Sequence, residues 1–198
     1  MTIATGVVCA LLGYLAGSVP TGVLVGRLWH GVDVVHGGSG HTGGLNVYRI
    51  TRNPWALVLT GLIDCALAAL AVSLARAWFH APWAGPLAGV TAVVGHNWSL
   101  FIGLNGGIGL SSLTGAMIML SPSATLAAAV VLVAVWLPVN RVLKHAARST
   151  ILVMLLLAPV MWFLRQPPPV LAMSILGAIP VVVKELGDLN RVYESSAV

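Results

Sequence analysis

Five glycines in thirteen residues make Gly37 to Arg49 (GGSGHTGGLNVYR) the stretch of this chain best suited to holding an anion. Ser39, His41, Thr42 and Asn46 stand among or just after those glycines. Without a Cβ, consecutive backbone N–H groups can turn toward one point, and such a nest binds phosphate. A second passage of the same kind follows at Gly95 to Ser112 (GHNWSLFIGLNGGIGLSS). Two polar glycine-rich loops in a greasy chain predict one site assembled from both. The competing reading is a pair of flexible turns between helices.

The elements that must carry those loops are hydrophobic helices. Of 198 residues, 58% are hydrophobic and 8% charged, and the mean hydropathy is +0.96. Soluble domains carry roughly 25% charged residues, so the chain reads as an all-α, polytopic integral membrane protein. Apolar runs predict about seven transmembrane helices, near 3–26, 55–78, 84–103, 109–121, 124–139, 150–165 and 170–184. The first run lacks a basic n-region and is long enough to span, so it reads as a helix rather than a signal peptide. No internal repeat or soluble linker divides residues 1–198, which predicts a single transmembrane domain. With seven spans, Arg27, Arg49, Arg52, Arg141, Lys144, Arg148, Lys184 and Arg191 fall on one side, against Arg76 and Arg165 on the other. The positive-inside rule then places the glycine-rich loops and the C-terminus in the cytoplasm and the N-terminus outside. Six of the seven tryptophans fall near predicted helix ends, where indoles anchor at headgroups; Trp136 alone falls deeper.

Other function classes are disfavoured. The formal charge of +5 comes without the basic stripe or aromatic platform that nucleic acid needs. Cys9 and Cys65 sit in apolar runs and imply no disulfide framework, and the histidines show no close spacing with cysteine or carboxylate that would ligate a metal. No cofactor is expected. Asp33 is expected to fix the first loop through backbone bonds, while Asp64 lies inside a predicted span, where an ionisable group commonly faces a polar interior.

The order and spacing of these residues carry a resemblance. Gly17-Ser18-Val19-Pro20, Gly22, Gly31-Val32-Asp33-Val34, Gly38-Ser39-Gly40, Gly43, Asn46 and Arg49 resemble the first motif of the bacterial acyl-phosphate-dependent glycerol-3-phosphate acyltransferases. Gly95-His96, Phe101, Gly106-Gly107, Gly109 and Ser112 resemble the second motif, and Leu189 with Arg191-Val192 resemble the third. The likeness covers roughly residues 11–115 in detail and the rest by topology.

The resemblance implies a seven-helix enzyme of the bacterial inner membrane with its motifs on the cytoplasmic side. It implies transfer of a fatty acyl group from acyl phosphate to glycerol 3-phosphate in phospholipid synthesis. An acyl phosphate is already activated, so the protein must bind phosphate, present a hydroxyl and stabilise an oxyanion. On this reading Ser39, His96 and Asn46 are the catalytic residues. Arg49, Gly38, Gly40, His41, Gly106, Gly107 and Ser112 bind substrate, with N–H groups around Ser39–Gly40 and Gly106–Gly107 serving phosphate and oxyanion. His145 is assigned to solvent or headgroups.

The departures concern charge. Cations of the family pattern are replaced at Val35, Leu67, Asn105 and Ile108, with Arg52, His36 and His41 as candidates to compensate. In the third motif a histidine and an asparagine become Glu185 and Asp188. Two alternatives follow: an acyltransferase with a less anionic acceptor, or a non-catalytic lipid-binding paralogue or small transporter.

Overall fold

The computed structural model describes residues 1–191; the C-terminus and Val192, for which the sequence carries expectations, lie outside the described residues. The elements are α1 (Ile3–Ser18), α2 (Thr21–His30), α3 (Gly44–Thr51), α4 (Pro54–Phe79), α5 (Ala84–Asn97), a 3-10 turn (Leu100–Ile102), α6 (Leu110–Leu120), α7 (Pro122–Leu143), α8 (Ala146–Phe163) and α9 (Pro168–Leu186). Among the described residues there is no strand.

Local chemistry sets the helix starts. Pro54, Pro122 and Pro168 occupy first-turn positions, where the missing N–H costs nothing. Asn53 caps α4 by accepting from Trp55 N at 2.9 Å, and the His145 ring caps α8 by accepting from Arg148 N at 3.4 Å. The helix expected over 3–26 divides at Val19-Pro20 into α1 and α2, because proline can neither donate to the preceding turn nor clear its carbonyl. The helix expected over 84–103 stops at Asn97. The glycine-rich first loop contains a helix, α3, that apolar runs do not reveal.

Five segments are long and apolar enough to cross a membrane: residues 3–30, α4, α7, α8 and α9. At 14 and 11 residues, α5 and α6 fall short of the ~20 that a full span needs. The outer surface is apolar, with Val130, Leu155 and Phe163 exposed by 70%, 62% and 79%, as lipid contact requires. α5 is enclosed by α1, α4, α6 and α9. Small residues permit that enclosure: a Cβ on Gly17 would lie 1.9 Å from the Ala92 carbonyl oxygen, so α1 and α5 touch backbone to backbone. A core of Met117, Met161, Met173, Val153 and Leu157 fills the space between α6, α8 and α9.

Candidate active site

Asp33 begins the first loop. Its carboxylate accepts from Val35 N at 3.0 Å and His36 N at 3.3 Å, as expected of a residue that fixes the turn. The hydrogen bond from the His36 ring, at 2.7 Å, together with these backbone bonds holds this exposed carboxyl below the usual carboxylate range. His36 thus faces solvent rather than the site.

Asn46, on α3, ties the loop from inside. Its amide nitrogen donates toward the carbonyls of Val34 (3.0 Å), Gly37 (3.1 Å) and His41 (2.8 Å). Its carbonyl oxygen accepts from Ser39 N at 2.6 Å. Gly38 makes this approach feasible: its φ is +57°, and a Cβ there would sit 2.2 Å from Asn46 Oδ1. The tail closes over the same point. Arg191 donates to the Ser39 carbonyl oxygen and lies 3.3 Å from Asp188, while His41 Nε2 lies 2.6 Å from Asp188 Oδ2.

These bonds correct the expected nest. Ser39 N is held by Asn46, Gly40 N donates to Gly37 O at 2.9 Å, and Gly107 N donates to His96 O at 3.0 Å. Those N–H groups stitch the loops and do not point at a ligand. Thr42 N donates to Gly106 O at 3.3 Å, so the two loops do meet, as expected.

What the loops enclose is a cavity of about 430 Å³. Ser39, His41, Asn46, Arg49 and His96 all line it, whereas Gly38, Gly40, Gly106, Gly107 and Ser112 do not. Arg49 is the one arginine or lysine in its wall among the described residues. Of the four positions where the resemblance leads one to expect a cation, Ile108 lines it and Val35, Leu67 and Asn105 do not. Arg52 is not in the wall.

The first turns of α3 (Gly43, Gly44, Leu45) and α6 (Gly109, Leu110, Ser111) also line the cavity. No side chain caps either helix. Unpaired N–H groups and the helix dipole make each such end attractive to an anion. Below, Leu110, Leu132, Val133, Val153 and Met154 form an apolar wall, and a smaller cavity continues it past Met117, Leu157 and Met161.

Sequence reasoning did not place Asp64, Glu185, Trp136 or Thr150 in the site; all four line the cavity. Asp64 accepts from the Thr21 hydroxyl and lies 3.5 Å from His96 Nδ1. His96 Nε2 lies against Gly107, where a Cβ would come within 2.1 Å of it. Ser39 Oγ, Asp64 Oδ2 and Glu185 Oε2 are buried without a hydrogen-bond partner among the described residues. Three such polar atoms around one cavity are groups that a bound polar molecule could satisfy. The signal for Glu185 was an ionisable residue in an apolar helix, the rule that drew attention to Asp64. Among the described residues no group of three or more His, Cys, Asp or Glu side chains is arranged to hold a metal ion.

Comparison with known proteins points the same way. The family model described as glycerol-3-phosphate acyltransferase matches residues 7–195. A glycerol-3-phosphate acyltransferase of Synechococcus sp. (strain JA-3-3Ab) is 34% identical over 193 residues, 97% of this chain and 92% of that protein. One from Myxococcus xanthus (strain DK1622) is 45% identical over 127 residues, 64% of this chain and 66% of that one. The crystal structure of PlsY, an integral membrane glycerol 3-phosphate acyltransferase, in its glycerol 3-phosphate form superposes with a TM-score of 0.79 at 25% identity, over 94% of this chain and 90% of that one. A lysophosphatidic acid form of that protein superposes with a TM-score of 0.77.

Proposed function

The chain belongs to the glycerol-3-phosphate acyltransferase family, and on that premise we propose that its cavity transfers an acyl group from acyl phosphate to glycerol 3-phosphate. It is a membrane acyltransferase acting on glycerol 3-phosphate.

The observation that carries it is the joint lining of one cavity by polar groups at one end and an apolar wall at the other. Arg49 and the uncapped N-termini of α3 and α6 attract the two phosphates; each helix end supplies roughly half a unit of positive charge. This is how a site with Ile108 in place of a cation holds anionic substrates. Ser39 Oγ is free to donate to a phosphate or carbonyl oxygen, and Asn46 positions Ser39. The acyl chain lies along Leu132, Val133 and Met154. The acceptor hydroxyl attacks the acyl carbonyl carbon, the bond from that carbon to the phosphate oxygen breaks, and inorganic phosphate leaves.

All seven expected crossings serve this arrangement, with α5 and α6 as short ones in the bacterial inner membrane. Loop 31–43, loop 98–109 and the turn after α9 are separated by α3–α5 and by α6–α9, yet meet through Thr42 with Gly106 and Arg191 with Ser39. An even number of crossings between each pair accounts for that meeting, and the basic residues argue for the cytoplasmic face. Convergence of Ser39, Asn46, His96 and Arg49 argues against a non-catalytic binding protein or a transporter.

A second reading, transfer to a less anionic acceptor, is favoured by the Ile108 and Glu185 side chains in the wall. The test is acyl transfer by purified protein in lipid, with labelled palmitoyl phosphate and glycerol 3-phosphate, then with uncharged polyols. Lysophosphatidic acid is the expected product. Product only with uncharged acceptors would replace the first reading by the second, and none with any acceptor would refute both.

A further inference from the structure

Trp136 is the one tryptophan in the cavity wall among the described residues. It stands toward the C-terminal end of α7, half-buried, and its indole Nε1 donates to the Thr150 hydroxyl of α8 at 3.2 Å. That bond joins two helices connected by a short turn and fixes the orientation of the ring. An indole whose N–H is satisfied inside the protein offers the cavity a flat, rigid, apolar surface.

The wall changes character at this rung. On one face of α7, at helical spacing, Leu132, Val133 and Ala129 line the cavity and Thr125 lines the smaller one beyond it. On α8, Thr150 is followed by Met154 in the main cavity and by Met161 in the smaller one. On its other side Thr150 neighbours the Glu185 carboxylate, which lies within electrostatic reach of Arg49. Polar wall therefore begins where Thr150 stands, and apolar wall runs away from Trp136 to the far end. From Trp136 to Thr125 that face of α7 extends about 16 Å, so the two ends of a long acyl chain meet different residues.

We propose that Trp136 sets the depth at which the acyl donor sits: its indole packs against the first methylenes of the chain and stops the carbonyl and phosphate at the level of Arg49. The tail runs on between α7 and α8. Trp136 is a substrate-positioning residue and takes no proton. Depth matters because the acceptor is itself held by its phosphate, so its hydroxyl meets the acyl carbon only when donor and acceptor are in register; a misplacement of about 1 Å costs about a hundredfold. Water is abundant, needs no holding and tolerates the displacement. In transfer, the hydroxyl oxygen bonds to the acyl carbon, the C–O bond to phosphate breaks, and the hydroxyl proton ends on the released phosphate. In hydrolysis, a water oxygen bonds to the same carbon and the same bond breaks, giving a carboxylate and inorganic phosphate that carries both water protons. Loss of depth control therefore diverts the donor from lysophosphatidic acid to free fatty acid. The assignment rests on the proposed acyl-phosphate reaction.

Its test compares wild type, Trp136→Phe and Trp136→Ala as purified full-length protein in lipid, with labelled palmitoyl phosphate and glycerol 3-phosphate. Lysophosphatidic acid and free palmitate are read together, after subtraction of hydrolysis without protein. Phe keeps a ring and loses the bond to Thr150; Ala loses both. The ratio of palmitate to lysophosphatidic acid is expected to rise at least about threefold for Phe and about tenfold or more for Ala, as kcat for transfer falls about ten- to a hundredfold. KM for glycerol 3-phosphate should stay within about threefold of wild type. A residue that only holds the fold lowers both products together, since unfolded protein makes neither, so an unchanged ratio in both variants would overturn the assignment. If melting shows that neither variant folds, wild type decides by photolabelling with palmitoyl phosphate carrying a diazirine beside the carbonyl or at the chain end. The first probe should label Trp136, and the second should label the region of Thr125 and Met161. Labelling of the deep region by the first probe, with none at Trp136, would overturn the assignment. Wild type inactive on palmitoyl phosphate and glycerol 3-phosphate would overturn the proposed function itself.

Discussion

Asn46 allows a sharp test of how the first loop is held, because two substitutions remove different halves of its hydrogen bonding. Asn46→Asp keeps an acceptor for Ser39 N, now at 2.6 Å, and keeps the side-chain volume. It removes the donors that reach the Val34, Gly37 and His41 carbonyls and turns a carboxylate oxygen toward all three. The amide nitrogen has two hydrogens to share among the three carbonyls, so the loss amounts to about two bonds of about 1 kcal/mol net each, or about 2 kcal/mol. Burying a charge against three carbonyl dipoles adds a further penalty at a side chain 2% exposed. Asn46→Ala loses the same bonds and the bond to Ser39, but introduces no charge. Both variants lose the donors, so the order is set by the other two effects. If the charge held against the three carbonyls dominates, Asp is worse than Ala. If the Ser39 bond dominates, Asp is the milder change. The charge is expected to dominate. Hydrogen exchange read by mass spectrometry over 33–43 should show loss of protection in both variants, greater for Asp, with acyl transfer falling in the same order. The cost is local, so melting of the helical core should move less than loop protection does. Protection in Asn46→Asp equal to wild type, or milder loss than in Asn46→Ala, would refute the reasoning.

Three further outcomes follow from the packing and the cavity. Arg49→Ala removes the one cation in the cavity wall among the described residues; a charge-assisted bond worth roughly 1.5–3 kcal/mol predicts a 10- to 150-fold fall in kcat/KM, whereas His145→Ala, at the start of α8, should leave it unchanged. Equal kinetics in the two variants would remove Arg49 from the site. Gly17→Ala puts a methyl group 1.9 Å from the Ala92 carbonyl oxygen, and overpacking should destabilise the protein by about 1–3 kcal/mol, read as a lower melting temperature in detergent. An unchanged melting temperature would mean that α1 and α5 are not in backbone contact. Ala129→Phe fills space shared by the main and smaller cavities, so the ratio of activity on palmitoyl phosphate to that on octanoyl phosphate should drop. An unchanged ratio would place the acyl chain elsewhere.

Membrane character, helical class and the positions of most helices were legible in the chain because hydropathy is a local property, read over a single window of residues. So was the grouping of Ser39, Asn46, Arg49 and His96, which the motif spacing suggests and which all line one cavity. Less was legible where two local signals overlapped. The break at Pro20 was masked by continuous apolar character on both sides. The eight residues of α3 looked like loop because glycines surround them.

The bonding partners of individual groups within those motifs were decided by tertiary structure. Sequence placed N–H groups of Ser39, Gly40 and Gly107 toward a ligand, but folding pairs them with Asn46, Gly37 and His96. It leaves the first turns of α3 and α6 to face the cavity instead. Which of the replaced positions lies in the wall also depends on the fold, since Ile108 lines the cavity while Val35, Leu67 and Asn105 do not. The turn after α9 is tied to Ser39 through the Arg191 contact, which spans 152 positions. A hydrogen bond or an unpaired carboxylate is a relation between segments distant in the chain. Local composition shows that the parts are polar or apolar, and only packing determines which polar atoms are used up in holding the protein together and which are left to meet a substrate.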